Sequence, residues 1–404
     1  MTPEGWQRRS IRELGEVTAG KAKNATSDEP SRPYLRVANV FDGRIDLSDV
    51  LEMPFSEEEF ARYEIKSGDI LLNEGQSLKL VGRCSMYRGE YPGRCAIQNA
   101  LVRFRAGAGS DPSFFEQLFR WCQGSGVFAR IATKTTSIAH LGVNRFADLK
   151  VLCPPLPEQR KIAAILSSVD EVIEKTEAVI EHLQVVKMAM MQELLTRGLP
   201  GRHTRYKQTE IGEIPAEWEV LRLDETFDIL DKHRKPLNKA ERSKMQGVIP
   251  YYGANGVVDH VDKWLFDQPL VLMAEDGGYF DEYESRHIAY LVDGKSWVNN
   301  HAHVLSAKPG FCREWLYYVL VHRDVRPYIN SGTRTKLNQA DMRRIPMPVP
   351  SFDEQEAIAT GLATIDSRLA AEVMVVDALG RSKAALVSVL LTGEVRVSQR
   401  EAAT

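Results

Sequence analysis

The chain has 404 residues, enough for two or more domains with their own cores, and its formal net charge of -3 excludes a uniformly basic coat for nucleic acid. Five scattered cysteines without a C-x-x-C pair indicate reduced thiols in a cytosolic protein. The chain starts without an apolar signal region, and no apolar run approaches the roughly 20 residues of a membrane helix, so we expect a cytoplasmic protein without membrane contact.

Residues 1–153 predict a first globular domain of mixed strands and helices. Short apolar runs at 34–38, 69–72 and 100–104 predict strands, because Gly, Asp and Asn turns separate them. Asp111 and Pro112 suit the N-cap and the first residue of a helix rich in phenylalanine. A polar loop follows that helix and leads toward the next segment.

Residues 154–197 predict one long helix, because apolar residues recur there in steps of three and four. Pro157 suits the first turn and Gly198 lies just past the end, which gives roughly 38 helical residues and a length of about 57 Å. Glu and Lys residues, Lys187 among them, fill the flanks. A stripe of this length needs a partner helix, and its spacing is typical of a coiled coil. The stripe consists of Ile162, Leu166, Val169, Ile173, Val179, Leu183, Val186, Met190 and Leu194.

The second half of the chain repeats this plan. Residues 198–348 comprise a basic connector and a second predicted globular domain, with strands at 269–273 and 299–304 and an aromatic helix at 315–318. Residues 349–393 predict a second long helix, and 394–404 a tail. The second apolar stripe consists of Ile358, Leu362, Ile365, Leu369, Val373, Val376, Leu379, Leu386 and Leu390.

The two halves are an internal duplication. A shift of 196 positions, the step from Glu158 to Glu354, also places Leu141 on Leu337. The predicted fold is therefore α/β (α+β), with two similar globular domains separated by two long helices that pair as an antiparallel coiled coil. Two similar domains at a fixed separation suit the reading of two separated copies, or two halves, of one ligand.

Two short motifs suggest chemistry but are incomplete. Residues 15–22 nearly match a phosphate-binding P-loop, yet Ala22 stands where Ser or Thr would hold magnesium, so we predict a structural turn. Residues 111–114 are similar to the catalytic loop of adenine methyltransferases, but the second proline is missing. A helix cap explains them fully.

Two further pairs have a structural and a functional interpretation. His301 and His303 would share one face of a strand, but a zinc site needs more ligands, so we predict a hydrogen-bonded histidine pair. Glu275 and Asp276 could form a nuclease carboxylate pair. The two glycines that follow favour a tight turn instead, with DNA contact through its backbone amides as the lesser alternative.

Two polar loops at equivalent places in the two domains are the main candidate DNA contacts. They carry Thr, Ser, Lys and Arg with little acidic charge, which suits phosphate contact. Gln and Arg beside the 69–72 strand are further candidates, because both can read base edges. The candidates are Lys134, Thr135 and Thr136 in the first loop, Thr333, Arg334, Thr335 and Lys336 in the second, and Gln76, Lys79 and Arg83 beside the strand.

These features together resemble the specificity subunit of a Type I restriction–modification system. The similarity covers nearly the whole length and rests on the duplicated helix entries at 154–162 and 350–358 and on the helix exits at 194–198 and 390–393. It implies two target-recognition domains that each read one half of a bipartite, asymmetric DNA site, with the coiled coil setting the spacer. Glu356 replaces Arg160 in the second entry, which makes the two helix ends chemically unequal.

The resemblance also implies partners. Two adenine-N6 methyltransferase subunits are expected to dock on the helices, and restriction (motor-nuclease) subunits complete the complex. S-adenosylmethionine, ATP and magnesium are expected on those partner subunits, with no cofactor, metal or catalytic residue in this chain. The alternative is a coiled-coil adaptor that binds two proteins without reading DNA. An enzyme acting alone is disfavoured, because no complete phosphate, cofactor or metal motif is present in the sequence.

Overall fold

The computed structural model describes residues 3–22, 28–135, 137–329 and 335–397, and the chain divides into two compact units. The first unit comprises residues 1–177 and 374–404, and the second comprises 178–373. Each unit therefore contains one globular domain together with one half of each long helix. No helix within the described ranges is both long enough and apolar enough to cross a bilayer.

The first unit combines small sheets with short helices. Its largest sheet is antiparallel, and in a second sheet the strands at 31–35 and 96–97 run parallel. In chain order its elements are β1 (Gln7–Ser10), α1 (Ile11–Leu14), β2 (Gly15–Ala19), β3 (Ser31–Leu35), β4 (Leu51–Pro54), α2 (Glu57–Tyr63), β5 (Ile70–Asn73), β6 (Gly75–Gln76), β7 (Cys84–Met86), β8 (Ala96–Ile97), β9 (Leu101–Ala106), α3 (Pro112–Gly124), α4 (Val127–Ile131), β10 (Thr133–Lys134), β11 (Ala139–His140), α5 (Val143–Asp148), β12 (Lys150–Cys153) and the start of α6 (Leu156–Arg197).

Phenylalanine side chains form the centre of the first core. The largest sheet has the order β2-β9-β5-β7, and Phe104 of β9 contacts Phe115 and Phe119 of α3 at ring-centroid distances of 5.2 Å. Phe119 also lies 5.1 Å from Phe146 of α5, and all four rings are buried. Aromatic pairs of this kind add about 0.5–1.5 kcal/mol beyond their buried area, so they hold α3 against the sheet.

The second unit repeats this arrangement. It has two four-stranded sheets, one antiparallel like the main sheet of the first unit and one with a single parallel pair. In chain order its elements after α6 are β13 (Tyr206–Thr209), β14 (Gly212–Pro215), β15 (Glu219–Arg222), α7 (Leu223–Thr226), β16 (Phe227–Ile229), α8 (Lys239–Lys244), β17 (Gln246–Gly253), β18 (Gly256–Val261), β19 (Phe266–Asp267), β20 (Leu270–Ala274), β21 (Ala289–Val292), β22 (Lys295–Val298), β23 (Ala302–Ala307), α9 (Arg313–Val321), α10 (Gln339–Met342), β24 (Pro346–Val349) and the start of α11 (Phe352–Leu390).

The sheets of the two units correspond strand for strand. The order β16-β23-β20-β21 in the second unit matches β2-β9-β5-β7 in the first, and the pair β15·β24 matches β1·β12. This repetition of mixed α/β structure confirms the predicted fold class. The strand predicted at 34–38 is only partly right, because β3 ends at Leu35 and residues 37–39 form a 3-10 turn. The buried Asn39 side chain accepts a hydrogen bond from the Arg36 N–H at 3.0 Å, which turns the chain there.

The long helices extend slightly beyond their predicted lengths. Helix α6 has 42 residues and α11 has 39. Gly198 and Gly393 follow their ends with φ values of 76° and 73°, in the left-handed region that glycine adopts without strain. The apolar stripes are buried toward both ends, but Val179 and Val373 near the middle are 43% and 47% exposed, so their predicted place in the stripe is wrong.

Within each unit the two helix halves run antiparallel. In the first unit, Ile162 and Leu166 near the start of α6 share a core with Leu390 at the end of α11. In the second unit, Leu194 at the end of α6 shares a core with Ile358 at the start of α11. The antiparallel pairing predicted from the two stripes is thus confirmed in each unit.

A partly buried ion pair lies in the helix interface of each unit. Lys187 of α6 contacts Asp366 of α11 at 2.6 Å in the second unit, and Asp170 of α6 pairs with Lys383 of α11 in the first. The shift of 196 positions relates Asp170 to Asp366 and Lys187 to Lys383, so one ion pair occurs twice. The predicted place of Lys187 on a solvated flank is wrong, because the residue is 7% exposed. Parallel alignment in register would instead bring like charges together, so these residues favour the antiparallel orientation.

Burial and ion pairing oppose each other in the Asp170–Lys383 pair. Burial alone would raise the pKa of Asp170, but hydrogen bonds from Lys383 and Gln117 outweigh it and hold that pKa below its ordinary value. Burial, together with the nearby charge of Arg120, lowers the pKa of Lys383. Gln117 and Arg120 lie on α3, so the ion pair also connects the globular domain to the long helices of its unit.

Candidate nucleic-acid interface

A buried Glu–Gln pair at the start of α6 fixes the first globular domain on its helix. Glu158 accepts hydrogen bonds from Trp6 Nε1 at 3.1 Å and from Arg396 Nε at 2.8 Å. Gln159 accepts one from the backbone N–H of Asp111 at 2.8 Å. Burial alone would raise the pKa of Glu158, but the hydrogen bonds from Arg396 and Trp6 outweigh it and lower that pKa. The helix start is therefore tied to the domain and to the segment that follows α11.

The same pair recurs at the start of α11 and fixes the second domain. Glu354 accepts a hydrogen bond from Trp218 Nε1 at 3.3 Å and contacts His203 Nε2 at 2.9 Å. Gln355 accepts one from the backbone N–H of Cys312 at 2.9 Å. The duplicated Glu-Gln sequence is thus a structural anchor, and both residues are 1% exposed.

The first polar loop forms a small hairpin beside the central sheet. Strands β10 and β11 pair with each other, and β11 pairs with β6, which places Ala139 opposite Gln76. Lys134 and Thr135 are exposed, and the Thr135 hydroxyl donates to the Ile138 carbonyl at 2.8 Å. Two of the predicted contacts, Lys134 and Gln76, therefore belong to one three-stranded sheet, and Thr135 directly follows it. Thr136 lies outside the described residues.

A glutamate that follows the central strand holds this loop in place. Glu74 Oε2 lies 2.9 Å from His140 Nδ1, and the Glu74 carbonyl accepts the Leu141 N–H at 2.8 Å. We call this two-point contact the clasp of the first unit. Sequence reasoning missed it, because the two residues are 66 positions apart.

The second unit has an equivalent clasp with a different cation. Glu275 Oε1 lies 2.8 Å from Lys336 Nζ, and the Glu275 carbonyl accepts the Leu337 N–H at 2.8 Å. Asp276 and Lys336 form an antiparallel bridge, like that of Gly75 and His140. Lys336, a predicted phosphate contact, is therefore already paired with a carboxylate, although its side chain remains 42% exposed.

The second clasp rests on a buried charge network. Asp231, Glu275 and His303 bring possible metal ligands within 4.8 Å of one another. Glu275 forms ion pairs with Lys336 and with Arg234, whose Nη1 lies 2.5 Å from the carboxylate. His303 Nε2 lies 2.8 Å from the Leu337 carbonyl. Two side-chain cations thus stand where a metal ion would balance the charge, so these residues fit an ion-pair network rather than a metal site.

The carboxylates of this network titrate below their ordinary range. Burial alone would raise the pKa of Glu275, but hydrogen bonds from Lys336 and Arg234 outweigh it and lower that pKa. For Asp231 the hydrogen bond from His303 is the strongest of the contacts that lower its pKa against burial. Both carboxylates are therefore charged when the protein is folded near neutral pH.

The histidine pair has two different environments. His303 lies on β23, is fully buried and contacts Asp231 at 2.7 Å, so its structural interpretation is confirmed. His301 lies just before β23 and hydrogen-bonds to Asp276 Oδ1, so the predicted shared strand face is wrong. The turn predicted at 275–278 is present, with Gly277 at a φ of 66°, but its two carboxylates are buried partners rather than solvated turn residues.

The remaining candidates are dispersed. Lys79 is exposed, and its carbonyl accepts a hydrogen bond from Gln123. The guanidinium of Arg83 lies over the Phe41 ring at 4.7 Å, so part of its surface is already used for stacking. Thr335 is exposed beside Lys336. Thr333 and Arg334 lie outside the described residues.

The two incomplete motifs have structural roles. The P-loop-like segment forms β2 rather than the predicted turn, and its Lys21 lies 2.8 Å from the Pro54 carbonyl and pairs with Glu59. The segment is extended and pairs with β9, so it lacks the compact loop that cradles phosphate in a P-loop. The Asp111 side chain accepts the Phe114 N–H at 3.0 Å, which confirms the predicted helix cap.

Comparison with known proteins agrees with the duplicated architecture. The family described as the Type I restriction modification DNA specificity domain matches residues 3–184 and 215–373, once per half of the chain. The chain belongs to this family. The MjaX specificity subunit assigned to a type I restriction enzyme of Methanocaldococcus jannaschii is 26% identical over 98% of this chain and 95% of its own length. The MjaVIII specificity subunit of the same organism is 28% identical over 67% of this chain and 68% of its own length.

A solved structure shares the fold. The S subunit of a Type I restriction–modification system from M. genitalium superimposes with a TM-score of 0.60 and 17% sequence identity. The alignment covers 97% of this chain and 99% of that subunit. The two chains thus share one fold over nearly their whole lengths.

Proposed function

We propose that the chain is the DNA-reading specificity subunit of a type I restriction–modification complex. Each globular domain reads one half of a bipartite, asymmetric site. The observation that carries this proposal is the repetition of one clasped polar loop in both units, at the same register beside the central sheet. Loops held on a rigid sheet are suited to sequence reading, because their side chains vary without disturbing the scaffold.

The long helices serve as spacer and as docking platform. Two methyltransferase subunits bind the platform, and restriction subunits join them. The chain itself is non-catalytic, and S-adenosylmethionine, ATP and magnesium act on the partner subunits. The duplicated anchors and ion pairs support this role, because they give each unit the same rigid connection between helix and domain.

A salt titration with the methyltransferase partner present tests DNA reading. Affinity for DNA that contains the target should fall steeply as salt rises, because phosphate contacts release counterions. Random DNA of equal length is the control and should bind more weakly. Formation of the protein complex without any salt-dependent DNA binding would favour the alternative, a coiled-coil adaptor of two proteins.

A further inference from the structure

A cavity of about 430 Å³ opens beside the clasp of the second unit. The β17–β18 hairpin, the turn after β20 and the segment before β23 enclose it, with Tyr251, Asp276, Asn300 and His301 in its lining. Cavities of this size are typical of ligand sites. Tyr251 is buried and its hydroxyl accepts the Leu237 N–H at 2.9 Å, so the floor is rigid.

We propose that Asp276 and His301 in this cavity contact one base pair through its major-groove edge and set the sequence preference at that position. The base pair belongs to the half-site of the second domain. The inference rests on the proposed DNA-reading function and names a specificity-determining pair within it.

The geometry of the pair fixes the chemistry that it offers. Asp276 Oδ1 binds His301 Nδ1, the Asp276 side chain is 8% exposed, and that of His301 is 41% exposed. Since a carboxylate accepts hydrogen bonds, Nδ1 carries a hydrogen, which leaves Nε2 as the second hydrogen-bonding atom of the ring. The described residues provide no hydrogen-bond partner for Nε2. An imidazole nitrogen at the edge of a cavity can hydrogen-bond to the edge of a base.

The scaffold does not need this pair. The Glu275 N–H donates to the His301 carbonyl at 2.9 Å, just as the Glu74 N–H donates to the Ala100 carbonyl at 2.9 Å. The same backbone contact thus forms around Gly75 and Ala100 in the first unit, where neither side chain can form an ion pair. A pair that one unit lacks and the other holds beside its clasp is suited to specificity rather than to folding.

Nearby polar groups extend this surface. Asn300 is exposed beside His301, and an amide can both donate to and accept from adenine. Arg242 in the lining is paired with Asp259 at 2.8 Å and stacks on Tyr251, so its charge is already balanced. Lys336 forms a β-bridge with Asp276 and, although paired with Glu275, keeps its side chain 42% exposed at the same edge.

The test compares His301→Ala and Asp276→Asn with the wild-type chain, each in complex with the methyltransferase partner. Bound sequences selected from a random DNA pool should lose their preference at one position of one half-site. The other half-site should be unchanged. Affinity for the original site should fall about tenfold to a hundredfold. Lys239→Ala, on an exposed face of α8 and outside the cavity lining, is the matched control and should leave both half-sites unchanged.

Each other outcome overturns the assignment. Relaxed positions in both half-sites would show that the pair does not serve one domain, and an equal loss of affinity for every sequence would indicate a phosphate contact. Unchanged half-sites in both variants refute the inference while wild-type binding keeps the proposed function intact. Asn300→Ala, whose exposed side chain has no part in the core, provides the same readout if the first two variants melt early.

Discussion

The partly buried Lys187–Asp366 pair provides a direct test of how the helices are held together in the second unit. Lys187→Met keeps the length of the side chain but leaves Asp366 without its cation. Loss of one partner from a fully buried pair costs about 3–5 kcal/mol. Asp366 is 35% exposed and keeps a hydrogen bond from the Tyr318 hydroxyl at 2.7 Å. We therefore expect a smaller cost, about 2 kcal/mol.

Scanning calorimetry of the full chain measures this cost. For a unit of this size, about 2 kcal/mol lowers Tm by roughly 4–8 °C. Lys175→Met is the matched control, because Lys175 is 73% exposed and pairs only with Glu171 along the same helix. That control should change stability by less than about 0.5 kcal/mol. Lys187→Met combined with Asp366→Leu should be less damaging than Lys187→Met alone, since no unpaired charge remains. Equal effects of the two Lys→Met variants would refute the reasoning.

Three further predictions follow from the anchor, the clasp and the helices. Glu158→Gln should lower the free energy of unfolding by about 1–2 kcal/mol at pH 7. The pKa of Glu158 in the folded protein lies below its ordinary 4.5. The stabilisation from its charge is therefore complete above pH 4.5 and is lost as pH falls through the lowered pKa. Urea midpoints at pH 7 and pH 3 measure the difference in stability between the variant and the wild type. A difference that is no smaller at pH 3 than at pH 7 would contradict the prediction. Lys336→Ala should weaken DNA binding and reduce the slope of log affinity against log salt concentration by about one unit. Lys239→Ala, on the exposed α8, is the control and should leave that slope unchanged. The same slope in Lys336→Ala and in the wild type would show that Lys336 does not contact phosphate. Seven helical residues inserted after Glu177 together with seven after Val373, where the units divide, should lengthen the spacer by about 10 Å, or about three base pairs, in sequenced methylation sites; altered half-sites would show that the insertion disturbs the domains.

The sequence determines the helices better than the loops. Periodicity together with Pro157 and Gly198 locates α6 to within a few residues, because these signals are local. The burial of Lys187 is not local, since a lysine in a stripe of this kind is typical of a solvated flank. Its only signal is the repetition at Lys383, opposite Asp residues that repeat at the same shift.

The clasps were beyond sequence reasoning for the same physical reason. Glu74 and His140 are brought together by the pairing of β6 with β11, and short strands of two residues leave no periodic pattern to detect. Glu275 was interpreted as a turn residue, because the following glycines are a strong local signal. Its burial depends on Arg234 and Lys336, which come from distant parts of the chain.

The division of the helices between the two units determines the order in which the units can fold during synthesis on the ribosome. The second unit is complete once residue 373 has emerged, but the first unit needs residues 374–397 as well, because Leu390, Leu391 and Arg396 close its core and its anchor. The domain that is made first is therefore finished last. A premature stop shortly after residue 373 should spare the second unit and leave the first with an open apolar face, which chaperones and proteases recognise.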